Sequence, residues 1–512
     1  MASHAPVMGS SGFPVSIYTV VVTAVVIFGC YILSNSENAL YPGFDAVGLD
    51  PKAWTYADAR KKYAQNAKAV LWEGLKKCKG AFQVYTMAGP RIVLDAKYLD
   101  ELKNWPHADF AKNNAKQFFG NYPALGLFGE QGNGEIIQDT VRIKLTQSLN
   151  RLTPILNGEA RDAWKELAGD SEEWHEFHVW SNVLQLVARV SAITFIGPEL
   201  CRDKNWIDLS VNYAVEAFDC VRALRTWPKI LRPIVHWFLP QLQRLRQRHR
   251  KARQIIEGEW NRRQRLAQAD PDAKVTYSDG MQWLHETAKG RPYNRTDSQL
   301  TMAFAAIHTT SDLITKAIFD IAANPEIIEP LREEMKQCLA NGFTKTALYT
   351  MKLLDSVLKE SQRMSPSSYA PCMRRIDESF KLSDGTVLPK GAQLAFTANR
   401  NFDSAVWSDP DKFDARRFLR LRSQPGQENA WQFVTANVDQ LGFGAGQHAC
   451  PGRFFASNET KIALCHLLLK YDIKLATPSR PSNFTIGAEI VAPVVEPILI
   501  RRRFDLEGPL LE

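Results

Sequence analysis

The stretch Phe443-Gly444-Ala445-Gly446-Gln447-His448-Ala449-Cys450-Pro451-Gly452 decides how the rest of this chain is interpreted. Its cysteine is a candidate metal ligand, and its glycines let the backbone approach a flat cofactor without a Cβ clash. The proline after the cysteine favours the first position of a helix. Because free N–H groups and the positive dipole end at a helix start stabilise a thiolate, Cys450 is suited to bind iron.

A cysteine in a glycine-rich turn is also compatible with a purely structural role, so partners elsewhere in the chain matter. The segment Leu353–Arg363 is predicted to form an amphipathic helix, in which Glu360 and Arg363 share a face and can pair. Arg417 lies between that helix and Cys450. It can complete a Glu–Arg–Arg network that holds the cysteine loop against the helices by charge-assisted hydrogen bonds.

A second constellation lies inside a long helix predicted over Ser298–Ala323. The small residues Ala305 and Ala306 allow a ligand to press against this helix. The hydroxyl of Thr309, next to His308, can bond the helix's own backbone, or it can hold a water that delivers protons to a reacting oxygen. The alternative is a polar pair that is simply satisfied within a buried helix.

Composition describes an ordinary globular protein with a mild basic excess. The 512 residues are 45% hydrophobic and 23% charged, with a net charge of +8. The basic residues do not form a stripe interleaved with aromatic residues, which argues against nucleic acid and favours an anionic membrane or an acidic protein as partner. The eight cysteines follow neither a disulfide nor a zinc spacing, which indicates a reducing compartment.

The N-terminal region predicts a membrane anchor. Residues 15–33 carry no charge and are long enough to span a bilayer core, although a buried core helix is the alternative. The sequence thus divides into a tail (1–14), a transmembrane anchor (15–33), a hinge (34–50) and one catalytic domain (51–512).

The catalytic domain is predicted to be mainly α with small β-sheets. Helical spacing dominates residues 56–79 and much of 164–335, while hairpins are predicted at 82–94 and 381–388. Residues 227–240 combine prolines with aromatic, aliphatic and basic residues. This composition favours either an interfacial membrane contact or an internal loop ahead of a solvated helix.

Taken together, these motifs resemble a eukaryotic, fungal-type microsomal cytochrome P-450, a haem-thiolate monooxygenase. The resemblance implies the mainly α haem-thiolate fold with an N-terminal transmembrane anchor, haem b as cofactor and Cys450 as its metal ligand. The family's cysteine loop is matched by Phe443, Gly446, His448, Cys450 and Gly452, and its Glu–Arg–Arg network by Glu360, Arg363 and Arg417.

The resemblance also assigns roles in the pocket. Thr309 falls on the oxygen-activating threonine, but the acid that usually precedes it is His308 here, which can also relay protons. The haem propionates would be held by His448, Arg374 and Arg142, although Gln138 replaces the aromatic residue that usually accompanies the last of these. The implied substrate pocket comprises Phe119, Ala305, Ala306, Tyr369, Ala370 and Ile486.

The implied activity is insertion of one oxygen atom of O₂ into an apolar secondary metabolite, of the terpenoid class by similarity to fungal members. Electrons would come from the membrane-bound NADPH-cytochrome P-450 reductase, because the chain shows no flavin or nicotinamide module. The implied location is the endoplasmic reticulum membrane, with one N-terminal span and a cytosolic catalytic domain. Open alternatives are a haem-thiolate isomerase or dehydratase that does not use O₂, a non-catalytic haem binder, and a monooxygenase of alkaloids or polyketides.

Overall fold

The computed structural model describes residues 39–50, 55–129, 133–269 and 277–503, together with Tyr18, Gly29 and Lys52. Apart from the first two of these single positions, the predicted anchor (15–33) lies outside the described residues. Within the described part of the chain, no helix has the length and apolar character needed to cross a bilayer.

Helices form most of the structure. In chain order they are α1 (Ala57–Lys77), α2 (Leu99–Leu102), α3 (Phe110–Gln117), α4 (Asn133–Asp139), α5 (Thr146–Ala168), α6 (Val179–Phe195), α7 (Lys204–Arg225), α8 (Arg232–Val235), α9 (Pro240–Ala269), α10 (Gly280–Ala288), α11 (Arg295–Ala323), α12 (Ile328–Cys338), α13 (Lys345–Thr350), α14 (Lys352–Met364), α15 (Arg417–Arg422) and α16 (Arg453–Lys470). A π-helical turn, Thr140–Leu145, joins α4 to α5.

The strands are short and form small sheets. They are β1 (Ala46–Val47), β2 (Ala81–Thr86), β3 (Gly89–Leu94), β4 (Ala108–Asp109), β5 (His175–Phe177), β6 (Arg374–Ile376), β7 (Phe380–Lys381), β8 (Val387–Leu388), β9 (Gln393–Phe396), β10 (Tyr471–Leu475), β11 (Phe484–Ile486), β12 (Glu489–Val491) and β13 (Ile498–Arg502). The largest sheet has the order β1-β2-β3-β9-β6-β4, and β10-β13-β5 forms a second. Two hairpins, β7-β8 and β11-β12, complete the set. The predicted mainly α fold with small sheets is confirmed.

Helix α11 is the axis around which the site is built. It packs against α6, α7, α14 and α16, and from Leu313 to Ala322 every one of its residues is buried. Asn294 caps its start by accepting a hydrogen bond from the Asp297 N–H at 3.0 Å, and the helix ends ahead of Pro325, which cannot continue it. The predicted helix is confirmed and begins three residues earlier, at this cap.

Two local predictions are modified by the structure. Part of the predicted hinge belongs to the main sheet, because β1 pairs in parallel with β2. The helix predicted to start at Pro451 instead starts at Arg453, and Pro451 lies in a turn. The hairpins predicted at 82–94 and 381–388 are confirmed as β2-β3 and β7-β8.

Candidate functional site

The cysteine loop holds Cys450 at the start of α16. The N–H of Cys450 donates to the Phe443 carbonyl at 2.8 Å, which closes the loop into a compact turn. The N–H groups of Gly452 and Arg453 point at the sulfur, and the Arg453 guanidinium donates to the Cys450 carbonyl at 2.9 Å. Helix-terminal donors are therefore aimed at this sulfur although the proline itself is not helical.

Burial has the larger effect on the thiol. It raises the pKa of Cys450 above its ordinary value, while the N–H groups of Gly452 and Arg453 act in the opposite direction. A thiolate at this position therefore needs a cation to compensate for the lost hydration. Binding of a metal ion would displace the thiol proton and supply that compensation.

The glycines of the loop are required by close approach. Gly446 has φ +63°, and a Cβ there would lie 2.2 Å from the Lys103 carbonyl oxygen. Gly444 has φ +73°, also in the region that favours glycine. Gly452 caps α16, and the Phe443 ring packs edge-on against Phe433 with centroids 5.2 Å apart.

Two arginines beside the loop lack acidic partners. Arg142, from the π-helical turn, donates to the Gln447 carbonyl, and the buried Arg374 donates to the Met373 carbonyl at 2.8 Å. Among the described residues, no carboxylate lies within ion-pair distance of either guanidinium. Burial lowers the pKa of Arg374, as expected for a cation without a compensating anion.

His448 lies between these cations and is neutral. Burial and then the nearby Arg374 lower its pKa to about 4. Its ring lies 6.3 Å from that of Phe110, and its Nε2 is 3.3 Å from the Gln447 amide nitrogen. A neutral imidazole here can donate one hydrogen bond to an anion but adds no fixed positive charge.

One face of α11 borders a cavity. Ala305 and Thr309 are exposed although they lie in the middle of α11, a helix that is otherwise largely buried. These residues are one turn apart and share a face, so that face borders open space inside the protein. A half-buried cysteine sulfur, two cations without acids and an open helix face together fit haem b, whose iron Cys450 would hold and whose propionates Arg142, Arg374 and His448 would bind.

The predicted proton-relay residues point in different directions. The Thr309 hydroxyl donates to the Ala305 carbonyl at 2.6 Å and lies on the cavity face. His308 has its Nε2 3.0 Å from the Val211 carbonyl of α7, so this nitrogen carries the proton. Burial lowers the pKa of His308, and the ring is a neutral link between two helices. Any relay through it would use the other ring nitrogen.

The predicted charge network meets in the core. Both Glu360 and Arg363 have fully buried side chains, and the guanidinium donates twice to the carboxylate, at 2.8 Å each. Arg417 donates to the same carboxylate at 3.1 Å and to the Ser408 carbonyl at 2.7 Å. The network fixes α14 to the segment before α15 and, through the Arg363–Asn401 hydrogen bond of 2.6 Å, to the loop after β9.

The six predicted pocket residues are not equivalent. Ala305 lies on the exposed face of α11, while Ala306 packs against the main core. The Phe119 ring stacks under the Arg232 guanidinium at 4.9 Å, beneath the segment that joins α7 to α9. Tyr369 packs against Trp72 with ring centroids 5.8 Å apart.

The hairpin β11-β12 carries the predicted Ile486 and also Glu489, a residue that the sequence analysis missed. Ile486 is exposed and pairs directly with Glu489 across a two-residue turn. Glu489 in turn pairs with Ser368, next to the buried Ala370. The signal was present, because Thr485–Val491 contains a Gly-Ala turn between β-branched residues, which predicts a hairpin.

Comparisons with known proteins agree with this geometry. The sequence model of the family described as Cytochrome P450 matches residues 136–500. The cytochrome P450 monooxygenase ntnM of Nectria sp. is 38% identical over 455 residues, which cover 88% of this chain and 87% of the relative. The cytochrome P450 monooxygenase trt6 of Aspergillus terreus is 39% identical over 480 residues, covering 93% of this chain and 96% of the relative.

A solved structure shares the fold at low identity. A retinoic acid-bound cyanobacterial CYP120A1 superposes with a TM-score of 0.65, covering 87% of this chain and 96% of its own, with 16% of residues identical. At this identity the likeness concerns the arrangement of helices and sheets alone.

Proposed function

This chain belongs to the cytochrome P450 family and is a haem-thiolate monooxygenase, and from that premise we propose its substrate, electron donor and location. We propose that it oxidises an apolar terpenoid of secondary metabolism, with electrons from NADPH-cytochrome P450 reductase. The observation that carries the proposal is the cavity face of α11, where Ala305 and Thr309 are open to space in the interior. Because the side chains of Ala305 and Thr309 are short, they leave room on this face for a bulky apolar substrate.

Different residues of the chain would hold the haem and deliver protons. When bound, haem b supplies activation of O₂ and transfer of one of its oxygen atoms to a C–H or C=C bond, while the other atom leaves as water with two electrons from NADPH. Cys450 would hold the iron, with the Gly452 and Arg453 N–H groups orienting and partly neutralising the sulfur. The Thr309 hydroxyl would bind a water on the cavity side and pass protons from it, exchanging its hydrogen bond to the Ala305 carbonyl.

The electron donor would dock on the cysteine side of the molecule. Arg453, which follows the cysteine loop at the start of α16, is partly exposed. Positive charge at this face suits an acidic flavoprotein and would speed its association at low ionic strength. A fall in the rate of electron transfer as salt is raised is the expected consequence.

We propose that the catalytic domain lies on the cytosolic face of the endoplasmic reticulum membrane. An exposed apolar surface around α8 supports membrane contact, with Phe238 72% exposed and Ile234 61% exposed. The Trp237 ring lies under the Arg246 guanidinium at 4.5 Å, an aromatic–basic pairing suited to a lipid interface. In bilayers of brominated lipid, tryptophan fluorescence of the full chain should be quenched more than that of a Trp237→Phe variant. Equal quenching would count against contact through this surface.

The activity is tested with the purified full chain, the reductase, NADPH and isotopically heavy O₂. The probe is geranylgeraniol, and one heavy oxygen atom in the product is expected. An oxygen-free reaction without reductant is the control. Product formed in that control would favour a haem-thiolate isomerase, a candidate supported by His308, which replaces the usual acid and is bonded to the Val211 carbonyl. Binding of haem without substrate-dependent NADPH use with any reductase would indicate a non-catalytic haem protein.

A further inference from the structure

Glu489 is an acidic residue whose side chain opens into the interior cavity. It lies on β12 and is exposed to solvent-sized space, yet its chain neighbours Ala488 and Ile490 and its hydrogen-bond partner Ser368 are all buried. A side chain with both properties faces an internal cavity rather than the outer surface. The cross-strand partner of Glu489 is Ile486, and residues paired in an antiparallel hairpin project to the same face. The carboxyl group is therefore a polar point beside an apolar wall.

The surrounding polar groups leave this carboxyl group available. Among the described residues, only Ser368 hydrogen-bonds it, through a hydroxyl 3.4 Å from the carboxyl oxygen. The nearest cations already have partners. Lys316 donates to Asp312 at 2.6 Å and to the Ile490 carbonyl at 2.7 Å, and Arg91 donates to Gln117 at 2.7 Å.

Charge around the carboxyl group favours a neutral ligand over a cationic one. Arg91 and Lys316 are the positive groups that face it, from β3 and α11, while Asp312 and Tyr63 are the other titratable groups nearby. Burial raises the pKa of Glu489 to about 7, partly opposed by Arg91. Near neutral pH the group therefore exists in both forms and can accept or donate a hydrogen bond. A substrate ammonium would be repelled by the two neighbouring cations.

The hairpin that carries Glu489 is anchored to α11. The Ala492 N–H donates to Asp312 at 2.7 Å, and Asp312 is three residues after Thr309 on α11. The Glu489 carboxyl group is thus at a fixed position relative to the helix face that borders the cavity. A substrate held there by one polar group would present a defined carbon to the reacting centre.

We propose that Glu489 binds a hydroxyl group of the substrate, so that the substrate class is an already oxygenated terpenoid alcohol rather than a hydrocarbon or an amine. The proposal rests on the proposed function and narrows it. It also orders the reactions of the pathway: a reaction that installs the hydroxyl group, or a precursor that already carries one, must come before this oxidation.

The test compares geranylgeraniol with its methyl ether, which keeps the carbon skeleton but lacks the O–H donor. Dissociation constants are measured on the haem-loaded full chain from the substrate-induced shift of the Soret band. We expect the alcohol to bind about tenfold more tightly than the ether, the size of one hydrogen bond to a charged or shared-proton carboxyl group. Glu489→Leu should abolish the difference, and Glu489→Gln should retain part of it.

Matched controls separate this inference from the function beneath it. Thr485→Val, on the opposite face of the same hairpin, should keep the wild-type ratio. The reduced carbon monoxide complex of each variant reports intact thiolate ligation independently of Glu489. An unchanged alcohol-to-ether ratio in Glu489→Leu, or tighter binding of geranylgeranylamine than of the alcohol, would overturn the assignment. No Soret shift with either probe, with thiolate ligation intact, would overturn it together with the terpenoid proposal.

Discussion

A buried carboxyl group on α16 provides a sharp test of the structure. Glu459 is 1% exposed and accepts a hydrogen bond from the Ser191 hydroxyl at 2.7 Å, while its other oxygen has no partner among the described residues. Burial raises the pKa of Glu459 from 4.5 to about 8. The perturbation is Glu459→Gln, which keeps the volume and the acceptor for Ser191 but removes the titration.

The sign follows from proton linkage. Between pH 4.5 and 8 the folded protein keeps the Glu459 proton while the unfolded chain has released it. The stability that the neutral group contributes is therefore complete below pH 4.5 and is lost as pH rises through 8. Each pH unit between 4.5 and 8 changes the unfolding free energy by roughly 1.4 kcal/mol. Between pH 6 and pH 8, the wild type should lose about 2 kcal/mol relative to Glu459→Gln.

The assay is urea unfolding of the haem-loaded full chain at pH 6, 7 and 8, followed by tryptophan fluorescence. The measured quantity is the difference in unfolding free energy between the wild type and Glu459→Gln at each pH. Glu172→Gln makes the same substitution at an exposed position and serves as the control. If the Glu459→Gln difference is also constant from pH 6 to pH 8, the carboxyl group is not buried as described and the packing of α16 against α6 is wrong.

Further outcomes follow from the cysteine side and from α11. Glu360→Gln leaves two buried arginines without their carboxylate and should lower the unfolding free energy by roughly 3–5 kcal/mol, whereas a loss under 1 kcal/mol by urea unfolding would contradict the network. Gly446→Ala places a Cβ against the Lys103 carbonyl and should abolish haem incorporation, measured as the haem-to-protein absorbance ratio; normal incorporation would contradict the loop geometry. Thr309→Ala should raise severalfold the share of NADPH electrons recovered as hydrogen peroxide, and unchanged coupling would exclude its hydroxyl from proton delivery.

Sequence patterns predicted the parts of the molecule that local chemistry determines. The long helix around Thr309 has an apolar pattern and an Asn cap, and the segment around Cys450 has glycines where backbone must pass closely. Two features depend on tertiary contacts that local patterns do not encode. His308 bonds to a carbonyl of a different helix, and the cavity-facing Glu489 is positioned by an isolated β-bridge to Ser368.

The start of α16 illustrates a smaller limit. Pro451 has the fixed φ that a first helical residue needs. Here, however, Pro451 belongs to the tight turn through which the Gly452 and Arg453 N–H groups reach the Cys450 sulfur, so the helix starts after it. Local propensity predicted the correct partners for the thiolate and placed the helix two residues early.

The most direct test of the central claim concerns the sulfur of Cys450. The wild type and Cys450→Ser are reduced, exposed to carbon monoxide and compared by absorbance. The wild type should show the strongly red-shifted Soret band of thiolate-ligated haem, and the serine variant should lose it. A variant that keeps this band, or a wild type whose band is that of nitrogen-ligated haem, would contradict the assignment of Cys450 as the iron ligand.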